Sequence, residues 1–143
     1  MLATLAQLPS DAATVTSGVT ALAARLAPPQ RIECQSGWYP LLVALDTTLS
    51  QLAPDYHLLS VKEKFGSLHY YVDINDDDVR SPQERTELCE CVSAVIRLAE
   101  RRSARLCEIC GAPGRLSSKS GYYTTRCPTH RPLTRGSEPI ATA

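Results

Sequence analysis

From Ser10 to Ala27 the apolar residues Val15, Val19, Leu22 and Leu26 recur at intervals of four, three and four, a spacing that lines one face of a helix. Ser10 is placed to cap its first turn, and Pro28 with Pro29 to end it. Gly18 lies inside this helix, where glycine costs on the order of 1 kcal/mol relative to alanine, so the helix is expected to depend on docking. The stretch Ala27 to Arg31 is the candidate linker that follows. A second helix is expected from near Tyr39 to before Pro54, opened by Pro40, whose missing N–H is not needed in a first turn. At about 100° per residue, Trp38, Leu41, Leu42, Leu45, Leu49 and Leu52 share one sector. This is a core helix, with the lone tryptophan as its packing anchor.

The period then changes to two. Tyr56 to Ile74 reads YHLLSVKEKFGSLHYYVDI, two strand-like runs flanking Phe65, Gly66 and Ser67, which predicts a β-hairpin. Strict alternation puts Leu59, Val61 and Glu63 on one face of the first run, opposite Leu58, Ser60, Lys62 and Lys64. On the second run Leu68, Tyr70 and Val72 oppose His69, Tyr71 and Asp73. The charged trio Lys62, Glu63 and Lys64 suits a strand protected against edge pairing. Residues 75 to 80 form an acidic turn that lacks the spaced ligands and distal glutamate of a calcium loop. A third helix starts at Ser81, Pro82, Gln83, Glu84, which combines a capping box with a first-turn proline. Its stripe is Leu88, Cys91, Val92, Val95, Ala99 and Leu106, with Ile96 and Leu98 on the flanks, and it is expected to run to about Ala104.

Composition adds a boundary. At 143 residues, 43% hydrophobic and 21% charged, the chain can bury a core of its own and is too apolar for wholesale disorder. Its apolar runs are well short of the roughly 18 residues a membrane span needs, and MLATLAQLP lacks the basic start of a secretory signal. The expectation is a cytoplasmic protein. Net charge is zero, yet residues 1 to 96 hold six Lys or Arg against twelve Asp or Glu, while residues 97 to 143 hold nine against three. Arg97, Arg101, Arg102 and Arg105 gather at the end of the third helix, where positive charge offsets the helix dipole.

Six cysteines without an export signal point to metal or free thiols rather than disulfides. Cys107 and Cys110 form a CxxC pair and Cys127 with His130 a CxxH pair, separated by sixteen residues. Each turn offers two soft or borderline donors, and two such turns fill one tetrahedral zinc site. The segment Gly121 to Arg126 resembles a short strand that delivers the second pair. Four ligands leave no open position for a substrate, so the expected role is one structural Zn2+. The upstream HxE of a zinc deaminase is absent, as are a GxSxG elbow and a phosphate-binding glycine loop. Cys91 is expected in the core, Cys34 and Cys89 as free thiols, and His57 and His69 as surface or packing residues.

GWYPLL at Gly37 to Leu42, VKEKFGSLHYYVD at Val61 to Asp73, CEICGAPG at Cys107 to Gly114 and CPTH at Cys127 to His130 together resemble a family of small uncharacterised proteins of phages, prophages and bacterial genomes. The resemblance covers roughly residues 34 to 131. With no catalytic constellation in the chain, the phage setting that this resemblance implies suggests, by analogy, a non-enzymatic protein that binds and inhibits a host protein, as an anti-defence or anti-CRISPR-type inhibitor or an immunity protein does. The alternative is a nucleic-acid-binding regulator that uses Arg97, Arg101, Arg102, Arg105, Arg115, Lys119, Arg126 and Arg131, with Tyr122 and Tyr123 as stacking surfaces. Candidate partner-binding residues are Tyr71, Tyr122, Tyr123, Arg101 and Arg105. The expected fold is α+β: an N-terminal helical extension over 1–30, a core of helix, β-hairpin and helix over 31–106, a zinc-ribbon or treble-clef-like knuckle pair over 107–132, and a flexible tail over 133–143.

Overall fold

The computed structural model describes residues 5–74, 81–131 and 138–139. The acidic turn expected at 75 to 80, and most of the tail expected over 133–143, lie outside the described residues. The chain is an α+β protein, and its described elements include three long helices and two small sheets. In order these are α1 (Ala12–Arg25), β1 (Ile32–Glu33), a 3-10 turn (Ser36–Trp38), α2 (Tyr39–Leu52), β2 (His57–Lys64), β3 (Ser67–Asp73), α3 (Pro82–Ser103), β4 (Arg115–Lys119), β5 (Tyr122–Arg126) and β6 (Glu138–Pro139). The first sheet has the order β1-β2-β3 and the second β5-β4-β6.

The helix expected as an N-terminal extension belongs to the core. Leu22 and Leu26 of the α1 segment join Trp38, Leu41, Leu45, Val61, Leu68, Tyr70 and Val92 in one buried cluster. Gly18 has a reason to be glycine: a Cβ there would stand 2.7 Å from both methyl carbons of Val43 on α2, so its absence lets the two helices approach. Asp11 caps α1 in place of Ser10, its carboxylate accepting from the Thr14 N–H at 2.8 Å. A polar network fastens the other end. The Arg25 guanidinium pairs with Asp46 at 2.9 Å, donates to Ser50 at 2.8 Å and lies over the Tyr56 ring at 4.6 Å. Tyr56 donates to Asp46, and the Tyr56 and Tyr70 hydroxyls are 2.6 Å apart. Burial pushes both tyrosine hydroxyls above their ordinary range; the Asp46 carboxylate adds to the rise at Tyr56, and Tyr56 adds to it at Tyr70.

The hairpin forms as expected around Phe65 and Gly66, but its inner face differs from strict alternation. Leu58 pairs with Val72 and Ser60 with Tyr71, so Leu59 is an extra residue in a bulge. One inserted residue moves the alternation by one position. Leu58 therefore turns inward at 3% exposure and Leu59 outward at 51%. The expectation of an edge strand is also corrected, because β2 is the middle strand: Lys62 is in register with Glu33 on one side and His69 on the other. At the β3 edge the sheet meets α3. Leu68 N–H donates to the Ser103 hydroxyl at 2.8 Å and Tyr70 N–H to the Glu100 carboxylate at 3.2 Å. Unpaired strand N–H groups are thereby satisfied within the chain.

The capping box at Ser81 and Glu84 is formed. Val92, Val95, Ile96, Ala99 and Ser103 make the buried stripe of α3. Cys91 is exposed, against expectation. It lies about 100° around the helix from the Val92 line, and the phase is set by Glu100 and Ser103, which bond the N–H groups of β3.

Candidate metal centre

The first knuckle curls directly after α3. Gly111 N–H donates to the Cys107 carbonyl and Cys107 N–H to the Ala112 carbonyl, both at 2.8 Å. A β4–β5 hairpin then runs out and back through a turn at Ser120 and Gly121, both at positive φ. Its return strand ends at the second knuckle, where His130 N–H donates to the Cys127 carbonyl at 3.1 Å. The strand expected at Gly121 to Arg126 is thus β5. Its partner β4 was signalled only by the Ser-Gly turn.

These turns bring all four expected ligands together. The sulfurs of Cys107, Cys110 and Cys127 and the Nδ1 of His130 lie within 4.8 Å of one another, a set that could hold a metal ion. The Cys110 and Cys127 sulfurs are 3.7 Å apart, and His130 Nδ1 is 3.2 Å from Cys127 Sγ and 3.6 Å from Cys107 Sγ. Among the described residues no other Cys, His, Asp or Glu joins this group, and none of the cysteines is in a disulfide. Cys107 and Cys127 are buried; Cys110 is exposed.

The surroundings favour thiolate on two of the sulfurs. Burial pushes the Cys107 thiol up, but backbone N–H groups of Cys127, Cys110 and Ile109 outweigh it and bring it down to about 6. Cys127 is likewise pushed up by burial and lowered overall, chiefly by the His130 N–H. The Ala112 N–H lowers Cys110, yet desolvation and the neighbouring Cys127 and Cys107 sulfurs leave it raised. Hydrogen bonds to Cys127 and Cys107 raise His130. Shared protons among four close donors are what a cation replaces when it binds.

The core holds the knuckle by backbone contacts that sequence reasoning missed. Gly37 N–H donates to the Glu108 carbonyl at 2.7 Å, and the Trp38 indole N–H to the Leu106 carbonyl at 2.9 Å. The side chain of Glu108 is buried, taking the Gln35 N–H at 3.4 Å and facing Arg126 at 3.6 Å. From the other sheet, the Thr125 hydroxyl donates to the Gly66 carbonyl at 2.6 Å. Glu108 lies between the two cysteines of CEIC, and only that position marked it.

The other candidates are placed separately. Tyr71, Tyr122 and Tyr123 are exposed on the hairpins at 42%, 81% and 38%, and Phe65 joins them at 67%, edge-on to Tyr123. Phe65 was read only as part of a turn. Arg101 and Arg105 are exposed on and just after α3, beside a groove whose lining includes none of these aromatics. Arg126 faces Glu108 at 3.6 Å. His69 stacks on Tyr71, and His57 is exposed. Cys34 is half-buried, its thiol pushed up to about 12 by burial and by Glu108. Among the described residues no helix is long and apolar enough to cross a membrane. Comparison of the chain with models of known protein families, with curated proteins and with solved structures finds no match in any of the three.

Proposed function

We propose that this chain is a non-enzymatic, zinc-stabilised binding protein whose target is another protein. The zinc assignment is supported by size. With Zn–S near 2.3 Å and Zn–N near 2.05 Å, the edges of a tetrahedron are about 3.8 Å between sulfurs and about 3.6 Å between sulfur and nitrogen. Three of the six separations, at 3.7, 3.6 and 3.2 Å, are close to these values, and all six lie within 4.8 Å. Cys107, Cys110, Cys127 and His130 would hold the ion, which supplies structural charge neutralisation and cross-linking of the two turns. Four protein ligands leave no position for a reacting molecule. Two knuckles joined by a β-hairpin support the reading as a zinc-ribbon or treble-clef-like pair.

The observation that carries the binding role is the placement of exposed apolar surface. Six large hydrophobic side chains are exposed among the described residues, and five of them, Leu59, Phe65, Tyr71, Tyr122 and Tyr123, stand on the two hairpins. Aromatic anchors of this kind dominate protein interfaces. The phage or prophage setting, and a host or defence-system protein as target in the cytoplasm, rest on the resemblance of the KEKFG hairpin and CExCG knuckle. A second reading, nucleic-acid binding, is favoured by Lys62 over the Tyr71 ring and Lys64 over the Phe65 ring, each at 5.6 Å, since cations beside stacking rings suit single strands.

Capture from nuclease-treated host lysate separates the two. A partner that survives nuclease and is lost with Phe65→Ala plus Tyr122→Ala supports the protein target. Retention that disappears with nuclease, and oligonucleotide affinity that falls steeply with salt, would replace it by the second reading.

A further inference from the structure

The sixth exposed hydrophobic side chain, Leu98, stands apart from the hairpins on the last turns of α3. It lines a groove of about 560 Å³ together with Leu5, Leu106 and the guanidinium-bearing side chains of Arg101, Arg102 and Arg105. Leu5 is anchored in the core at 6% exposure, so the floor is apolar and fixed. The rim is cationic. Arg25 and Arg126 are ion-paired, whereas among the described residues no carboxylate pairs with Arg101, Arg102 or Arg105. A helix C-terminus explains positive charge at this end of α3. It does not explain an exposed leucine beside that charge over an apolar floor.

We infer that this groove is a docking site for a protein segment that carries a large apolar residue flanked by aspartate or glutamate. Charge complementarity sets the flanks: Glu100, the acidic residue beside Arg101, is engaged by the Tyr70 N–H, and three guanidinium groups unpaired among the described residues can take carboxylates in bidentate pairs. The floor sets the anchor, which Leu5, Leu98 and Leu106 contact. The groove is open along Arg101 and Arg105, both exposed. A small ligand ordinarily has most of its surface enclosed, whereas an open trough takes side chains from a chain that continues beyond it. The inference rests on the protein-binding reading above and names the kind of partner segment.

The test uses the full, metal-loaded chain as bait for a displayed library of random twelve-residue peptides. Selected peptides are expected to pair an apolar residue with acidic neighbours and to lose at least tenfold in affinity against Arg101→Gln with Arg105→Gln and against Leu98→Ser. These positions are exposed, and unchanged melting of the variants shows that the fold is kept. Selected peptides without acidic residues, peptides that bind the variants as well as the parent, displacement by oligo(dT), or no enrichment would each overturn it. If the lysate partner depends on Phe65 and Tyr122 while the library yields nothing at this groove, the protein-binding reading stands and the inference falls.

Discussion

Replacing Gly37 by alanine tests whether the knuckle and the core form one mechanical unit. A Cβ at Gly37 would lie 2.2 Å from the Cys107 carbonyl oxygen and 2.4 Å from that of Glu108. Both are backbone atoms, one of them in a ligand residue, so no flexible side chain can swing aside. The knuckle must retreat, weakening the Gly37 to Glu108 hydrogen bond and the Trp38 to Leu106 one. Overpacking costs about 1–3 kcal/mol and each of the two weakened hydrogen bonds about 1 kcal/mol, giving roughly 3–5 kcal/mol. With an unfolding entropy near 2.1 cal/mol/K per residue, a chain of this length loses about 3 °C per kcal/mol. The expected fall in Tm is therefore about 10–15 °C, and metal affinity, measured against a chromophoric chelator, should drop with it. Gly121→Ala is the control: it meets nothing within 4 Å but sits at φ +81°, so it should cost about 1 kcal/mol and leave metal affinity unchanged. A Gly37→Ala protein that melts within 3 °C of the parent with unaltered metal affinity would refute the contact.

Purified chain should contain about one equivalent of zinc, and Cys110→Ser or a strong chelator should lower Tm by many degrees, as elemental analysis and melting would show. Leu58→Asp should cost several kcal/mol, because it buries an unpaired carboxylate, and Leu59→Asp within about 0.5 kcal/mol of nothing; equal denaturant midpoints would place the bulge elsewhere. Stability should fall above pH 9: the folded Cys34 thiol is pushed up to about 12 against an ordinary 9.0, so the unfolded chain loses this proton first and the contribution, complete below pH 9, disappears as pH rises towards 12. Cys34→Ala should flatten that slope in urea titrations across pH 8 to 11. Thiol labelling of the zinc-loaded protein at pH 8 should find Cys91 first and Cys34 last, since burial keeps the Cys34 thiolate scarce.

The parts of the fold legible in the sequence are those fixed by local rules. The cap at Ser81, the first-turn prolines of α2 and α3 and the Phe65–Gly66 turn act within a few residues, and the periods of α1 and α2 name their buried faces. The bulge at Leu59 was not legible, because a strand of alternating type accepts an inserted residue without changing its composition. Nor was the phase of α3: Cys91 and Ile96 are both apolar enough for a core, and only the bonds of Glu100 and Ser103 to β3 fix which of them turns inward. Gly18 illustrates the same limit from the other side. Read locally it is a defect in a helix, and only the presence of Val43 opposite makes it a requirement.

The ligand set was legible because chelation constrains spacing: two residues between ligands is what one tight turn can span, and four donors from two turns complete one ion. What holds those turns was not. Gly37, Glu108 and Ser103 act through backbone groups of residues far along the chain, and no local pattern announces such a contact. Their placement also bears on how the site and the binding surface relate. The Thr125 hydroxyl joins β5 to the Gly66 turn at 2.6 Å, so the metal-anchored hairpin and the core hairpin share a contact at the place where Phe65 meets Tyr123. An ion that fixes Cys127 fixes the end of β5, and with it the spacing of the aromatic rings. Metal loss should then weaken partner binding through Phe65 and Tyr123 before it unfolds α1 and α2, whose packing rests on Val43, Leu22 and the Arg25 network. Titrating chelator while following tyrosine fluorescence and far-ultraviolet circular dichroism separates the two events, and their coincidence would show that the knuckle and the helical core melt together.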